Sequence, residues 1–248
     1  MKLFIFYGLV LLASLAQSSA SDATSQFKYT RQFIVVTASS WTASTGTARW
    51  FDRESGSRWE LRGDPVPVML GRAGLAWGRG ELDTSGLAGP LKREGDDKAP
   101  AGVFRLGTTF GYAGTGKSLH SKMPYLALTK NVVAVDDPSS HYYNQLVDKT
   151  RLTKVDWHSA ENMILADNRY KWGVTVMHNV PPMPGAGSSI FVHVWKNNVT
   201  ATSGCTAMAE ENLLRLLAWL DPAKSPLLVQ VPLPIYNELR QRWGFPEL

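Results

Sequence analysis

The largely apolar run from Ser189 to Trp195, broken by one histidine, is rich in β-branched and aromatic residues, the signature of a strand whose side chains alternate between two faces. Ile190, Val192 and Val194 fall on one face, and Phe191, His193 and Trp195 on the other. Similar β-branched or aromatic runs predict strands at Phe33–Thr37, Val66–Leu70, Trp172–Asn179 and Leu227–Val231. Trp50–Leu61 mixes strand-like stretches with turns, and Tyr125–Val135 reads as one or two strands. Only one segment has clear helical periodicity, Glu210–Leu220. Leu213, Leu216, Leu217 and Leu220 form its apolar stripe, acids open its first turn, and Asp221-Pro222 ends it. Pro234–Trp243 predicts a terminal helix. Many short strands separated by turns predict a mainly β fold with a few helices.

The stretches between these elements exclude several chemistries. Gly71–Gly89 is glycine-rich but lacks the GxGxxG spacing of a dinucleotide site. Gly111–Ser118 matches GxxxxGK[ST]. The residues that follow, Leu119–Pro124, contain a proline and have no helical period, so the phosphate-binding context is missing. Asp136-Asp137-Pro138-Ser139 reads as a turn, because Asp and Pro favour turns for local hydrogen-bond and φ reasons. No His/Asp ligand spacing surrounds it, and no metal is expected. His158 and Glu161 stand three apart outside any HExxH motif. Lys92–Asp97 reads as a charged, solvated loop.

Met1–Ala20 has the form of a secretion signal. Lys2 precedes an apolar run too short to span a bilayer, and Ser18-Ser19-Ala20 offers small residues for cleavage. Residues 21–248 then form one domain with no membrane span. Apolar residues make up 44% of the chain, enough for a sizeable core. The nine tryptophans suit core packing or a groove that stacks on sugar rings. Without Lys2 the chain keeps 25 basic and 21 acidic residues. That mild excess suits an anionic polymer. Without a basic stripe, nucleic acid is not an expected partner. A monomer is expected.

The single cysteine cannot form an internal disulfide. In an exported protein such a thiol points to reactivity or to intermolecular pairing. It stands in Ser203-Gly204-Cys205, a tight turn between the His193 strand and the Glu210 helix. A thiol is a weak nucleophile at neutral pH until a base takes its proton. A strand histidine and backbone N–H groups in a turn supply a base and an oxyanion hole. His178, at the end of the Trp172–Asn179 strand, could line the same cleft or be a solvated strand end.

His193 followed by Thr202-Ser203-Gly204-Cys205 resembles the active-site signature of the L,D-transpeptidase (YkuD-like) catalytic domain. So do Lys92-Arg93-Glu94-Gly95-Asp96, Pro100–Phe104, Asp136-Asp137-Pro138 and Tyr143-Asn144, and the resemblance runs from about Phe33 to Val231. It implies a β-sandwich of mixed sheets and a cysteine acyltransferase, without cofactor or metal, acting on peptidoglycan stem peptides. Its place would be secreted, periplasmic or in the cell wall. Cys205 would be the nucleophile and His193 the base. Ser203 and Gly204 would shape the turn, and His178 and Trp195 would face the substrate. Two departures concern the signature: Ser203 replaces a second His found in many members, and the spacer is short. A third is Ala207, where many members have an Arg that meets a substrate carboxylate. It leaves open hydrolysis by a cysteine carboxypeptidase or endopeptidase, or another acceptor. A non-catalytic wall-binding module is the further alternative.

Overall fold

The longest strand is one that the residue pattern conceals. In the computed structural model, which describes residues 27–54, 57–112 and 119–248, it runs from Ala99 to Tyr112. Among the described residues the strands in chain order begin with β1 (Gln32–Ala38), β2 (Thr45–Asp52), β3 (Glu60–Leu61), β4 (Val66–Met69) and β5 (Leu75–Trp77). Next come β6 (Ala99–Tyr112), β7 (Tyr125–Leu128), β8 (Val132–Val135), β9 (Gln145–Asp148) and β10 (Ala160–Asn162). Then follow β11 (Trp172–Val176), β12 (Phe191–Val194), β13 (Thr206–Met208), helix α1 (Glu210–Trp219), β14 (Leu227–Pro232) and helix α2 (Leu233–Trp243). The predicted signal Met1–Ala20 lies outside the described residues.

The fold is mainly β, and its sheets are mixed, as expected. The main path runs β1-β14-β6-β11-β12-β13-β4-β2 and closes, because β2 also pairs with β1. Closure removes the open edges through which sheets aggregate. β1–β14 and β12–β13 are parallel pairs, whereas β6–β11 and β11–β12 are antiparallel. A separate small sheet, β10-β8-β9, stands apart from this path.

Both predicted helices form, α1 where the leucine periodicity put it and α2 over the Pro234–Trp243 stretch. Leu213, Leu216, Leu217 and Leu220 are all fully buried. At ~1.5–3 kcal/mol for each buried leucine, this stripe anchors α1 to the core. None of the nine tryptophans is fully exposed, and Trp41, Trp59 and Trp219 pack against the main core from its margin. Core packing thus accounts for most of them.

Strand β6 was hidden because Pro100, Gly102, Gly107 and Gly111 interrupt its pattern. Those residues fit because β6 is covered on both sides, by β14 and β11. Glycines here make room for neighbours. On β11, a Cβ at Gly173 would lie 2.3 Å from Cζ of Phe110, which occupies that space. The GxxxxGK[ST] match begins at the end of β6, where Gly111 and Tyr112 are strand residues. Residues 113–118 of it lie outside the described residues, and 119–124 form no helix.

The mixed stretch Trp50–Leu61 holds the end of β2 and the two-residue β3. One expectation changes. The Gly-Cys turn does not lead directly into the helix, because β13 intervenes between Cys205 and α1. The first turn of α1 is occupied by its own acid, since Glu210 accepts from Trp172 Nε1 at 3.0 Å and pairs with Lys171 Nζ at 2.7 Å.

Candidate active site

The parallel pairing of β12 with β13 positions the chemistry. His193 is opposite Ala207 and Val192 is opposite Thr206. Side chains alternate along a strand, so Cys205, two residues before Ala207, shares the face of His193. Both line one cavity of about 180 Å³, together with Ser203 and Gly204. The sequence motif is therefore a spatial cluster.

The turn before Cys205 is fixed by Thr202. Its Oγ1 donates to the Cys205 carbonyl at 2.7 Å and accepts from the Gly204 N–H at 3.1 Å. Gly204 has φ of +148°, a conformation that residues with a Cβ rarely adopt. A Cβ there would also meet the Lys98 carbonyl at 3.1 Å. Ser203 accepts from Arg72 Nη2 at 2.6 Å, and Arg72 pairs with Asp97 at 3.4 Å.

The thiol is 8% exposed and forms no hydrogen bond to His193 among the described residues. Its sulfur accepts from the Phe191 N–H at 3.3 Å, and its S–H donates to the Ser189 carbonyl at 3.6 Å. Burial pushes the thiol up to about 12, and the nearby Glu161 carboxylate adds to the shift. His193 is 3% exposed, and burial brings it down to about 4. Its Nδ1 lies 2.7 Å from the Val194 carbonyl. A carbonyl only accepts, so Nδ1 carries the proton and Nε2 is the basic nitrogen. The resting pair is therefore a neutral thiol beside a neutral imidazole.

The ring against His193 is Tyr170, edge-on at 5.1 Å, rather than Trp195. Trp195 is half-buried just beyond β12, and its N–H donates to the Met208 carbonyl at 2.9 Å. Tyr170 also packs on Phe191 and donates to Glu161 Oε1 at 2.7 Å. Burial raises the Glu161 carboxyl. Glu161 and Arg169 line the Cys205 cavity as well. Sequence reasoning missed Glu161, Arg169 and Tyr170 as neighbours of the cysteine. The only hint was Glu161 near His158, and a strand, not a helix, carries Glu161.

His178 does not line the Cys205 cavity but borders the neighbouring one, of about 530 Å³. It is fully buried, not solvated. Its Nδ1 accepts from the Arg79 N–H at 3.2 Å, which leaves Nε2 to donate to the Ala186 carbonyl at 3.0 Å. Asn144 ties this region to the cysteine side. Its Nδ2 donates to the His178 and Asn179 carbonyls, and its Oδ1 accepts from the Ser189 N–H.

The charged loop is not solvated throughout. Lys92 is 8% exposed, and its Nζ donates to Asp96 at 2.5 Å and to the Arg93 carbonyl at 2.7 Å. Glu94 accepts from the Tyr143 hydroxyl. The loop thereby forms one wall of the cavity through Lys92, Glu94, Gly95 and Asp97. Asp137 works as a turn acceptor for Ser139 and for the His158 N–H at 2.7 Å.

The two buried histidines should make the protein acid-sensitive. Each is brought down to about 4 from an ordinary 6.5, for His178 and His193 alike, with burial as the main cause. Below 6.5 the unfolded chain takes up protons that the folded chain refuses. Stability should be level in this respect above 6.5, decline as pH falls, and flatten below 4. Each histidine contributes a loss on the order of 3 kcal/mol across that window. Urea unfolding at pH 7, 5.5 and 4.5 measures it. His178→Gln should make the decline shallower.

The family described as YkuD, L,D-transpeptidase catalytic domain, matches residues 43–231. No curated protein matches the chain.

Proposed function

From the premise that the chain belongs to the L,D-transpeptidase catalytic-domain family, a family of peptidoglycan-acting enzymes of the cell envelope, we propose that Cys205 carries an acyl group cut from a stem peptide. The observation that carries this reading is the shared cavity: the chain's sole thiol and a histidine with a basic Nε2 line it from one sheet face.

The chemistry follows from those atoms. Cys205 Sγ attacks the carbonyl carbon of the diamino-acid residue while His193 Nε2 takes the thiol proton. The tetrahedral intermediate collapses as His193 returns that proton to the departing D-alanine amine, leaving a thioester on Cys205. A second stem's amine, or water, then attacks the thioester, and His193 takes its proton and passes it to the sulfur. The Gly204 N–H is already held by Thr202, so the oxyanion role falls to other N–H groups of the turn. A neutral resting pair suits this scheme, because charge develops only as the carbonyl is attacked, inside a cavity where unpaired charge is costly. Met1–Ala20 exports the protein to its polymer. No helix among the described residues is long and apolar enough to cross a membrane.

Mass spectrometry of purified muropeptides incubated with the mature protein tests this function. Cross-linked dimers with loss of D-alanine are the expected products. Tripeptide and free D-alanine without dimers would move the assignment to a hydrolase on the same acyl-enzyme route. Unchanged muropeptides would remove the enzymatic reading in favour of a wall-binding module.

A further inference from the structure

The Cys205 cavity carries charge of both signs, and its cations differ in what they are free to do. Lys92 and Arg169 line it, and Arg72 touches it through Ser203. The Lys92 ammonium is committed to Asp96 and to the Arg93 carbonyl, with its side chain only 4% exposed. The Arg72 guanidinium is committed to Ser203 and Asp97. Ala207, on the cysteine's own face, is buried and carries no charge.

Arg169 is different. It sits in the turn before β11, next to Tyr170, whose ring packs on His193. Its Nε lies 2.8 Å from Asp167 in an ion pair, yet this buried nitrogen makes no hydrogen bond. Among the described residues no protein group accepts from its two terminal nitrogens at hydrogen-bond distance. A guanidinium offers its two Nη groups as a planar two-donor fork, the geometry that matches a carboxylate. Its field reaches the chemistry, since it contributes to the downward pull on both His193 and Cys205.

We propose that Arg169 is the residue that recognises a free carboxylate of the donor peptide beside the scissile carbonyl. This rests on the acyl-transfer reading for its substrate, but it assigns a binding role that the cysteine and histidine do not fill. Two carboxylates of a stem peptide share this chemistry: the one on the departing terminal residue and the one on the diamino acid.

The test uses binding to a Cys205→Ala protein, so that turnover is not needed. Calorimetry compares three synthetic tetrapeptides: one with both carboxylates free, one amidated at the terminal residue, and one amidated on the diamino acid. The free peptide should bind ~10–100-fold more tightly than one of the two amides, as expected for a charge-assisted fork, and that amide names the carboxylate. In Cys205→Ala/Arg169→Ala the preference should shrink to near unity, while the affinity for that amide changes little. Arg169→Lys should restore part of it, and circular dichroism of Arg169→Lys guards against a folding defect. Equal binding of all three peptides, no binding at all, or a preference that survives Arg169→Ala would each overturn the proposal. Turnover of muropeptides by the wild-type protein decides the underlying reaction separately.

Discussion

Cys205→Ser should leave a folded protein with no measurable turnover of stem peptides, a loss on the order of 10⁴-fold or more, as for nucleophiles that act as part of a unit. The reason is chemical, since a hydroxyl in the same place is far harder to deprotonate than a thiol, and His193 is tuned down to about 4. Packing should change little, because serine is close to cysteine in size and a hydroxyl can keep the sulfur's two weak hydrogen bonds, with the Phe191 N–H and the Ser189 carbonyl. Steady-state kinetics on a defined tetrapeptide, with thermal unfolding as the control, makes the comparison. Near-normal rates in the folded variant would mean that the thiol is a buried structural cysteine.

His193→Ala should cost ~10²–10⁴ in kcat/KM, the usual contribution of a general base. The double variant with Cys205→Ala should be little worse than Cys205→Ala alone, since the pair works as a unit. The same logic separates the two buried histidines. His178 already has both ring nitrogens engaged, by the Arg79 N–H and the Ala186 carbonyl. Removing it should lower stability by about 1–3 kcal/mol, the cost of stranding buried polar groups, with kcat largely kept in the folded fraction. The acid limb of kcat/KM should lie near 4 rather than 6.5, because only the neutral imidazole is a base. A His178→Ala protein that folds normally but has lost more activity than His193→Ala would reverse these roles.

Part of this site could be read along the chain, and part could not. His193, Ser203, Gly204 and Cys205 were legible because one short strand, one loop and one turn carry them, and the turn demands glycine. The helix α1 was legible because its leucines recur at helical spacing. Strand β6 was not, since its glycines and proline answer to neighbours such as Phe110 across Gly173, not to local propensity. Arg169, Tyr170 and Glu161 were not legible either. They come from a loop and from the small sheet, and only tertiary packing brings them to the cysteine. His178 shows the converse. Its strand-end position suggested either a cleft residue or solvent, while the fold buries it between the Arg79 backbone and the Ala186 carbonyl. The Lys92–Asp97 loop has the composition of a solvated turn, yet its lysine folds back onto its own aspartate to build a cavity wall.

The central claim is that an acyl group resides on Cys205. Intact-mass analysis after brief incubation with a carbapenem, a β-lactam acylating agent, tests it most directly. One adduct per chain is predicted, mapped to Cys205 by peptide digestion and absent from Cys205→Ala. An adduct on any other residue, persisting in Cys205→Ala, would contradict it.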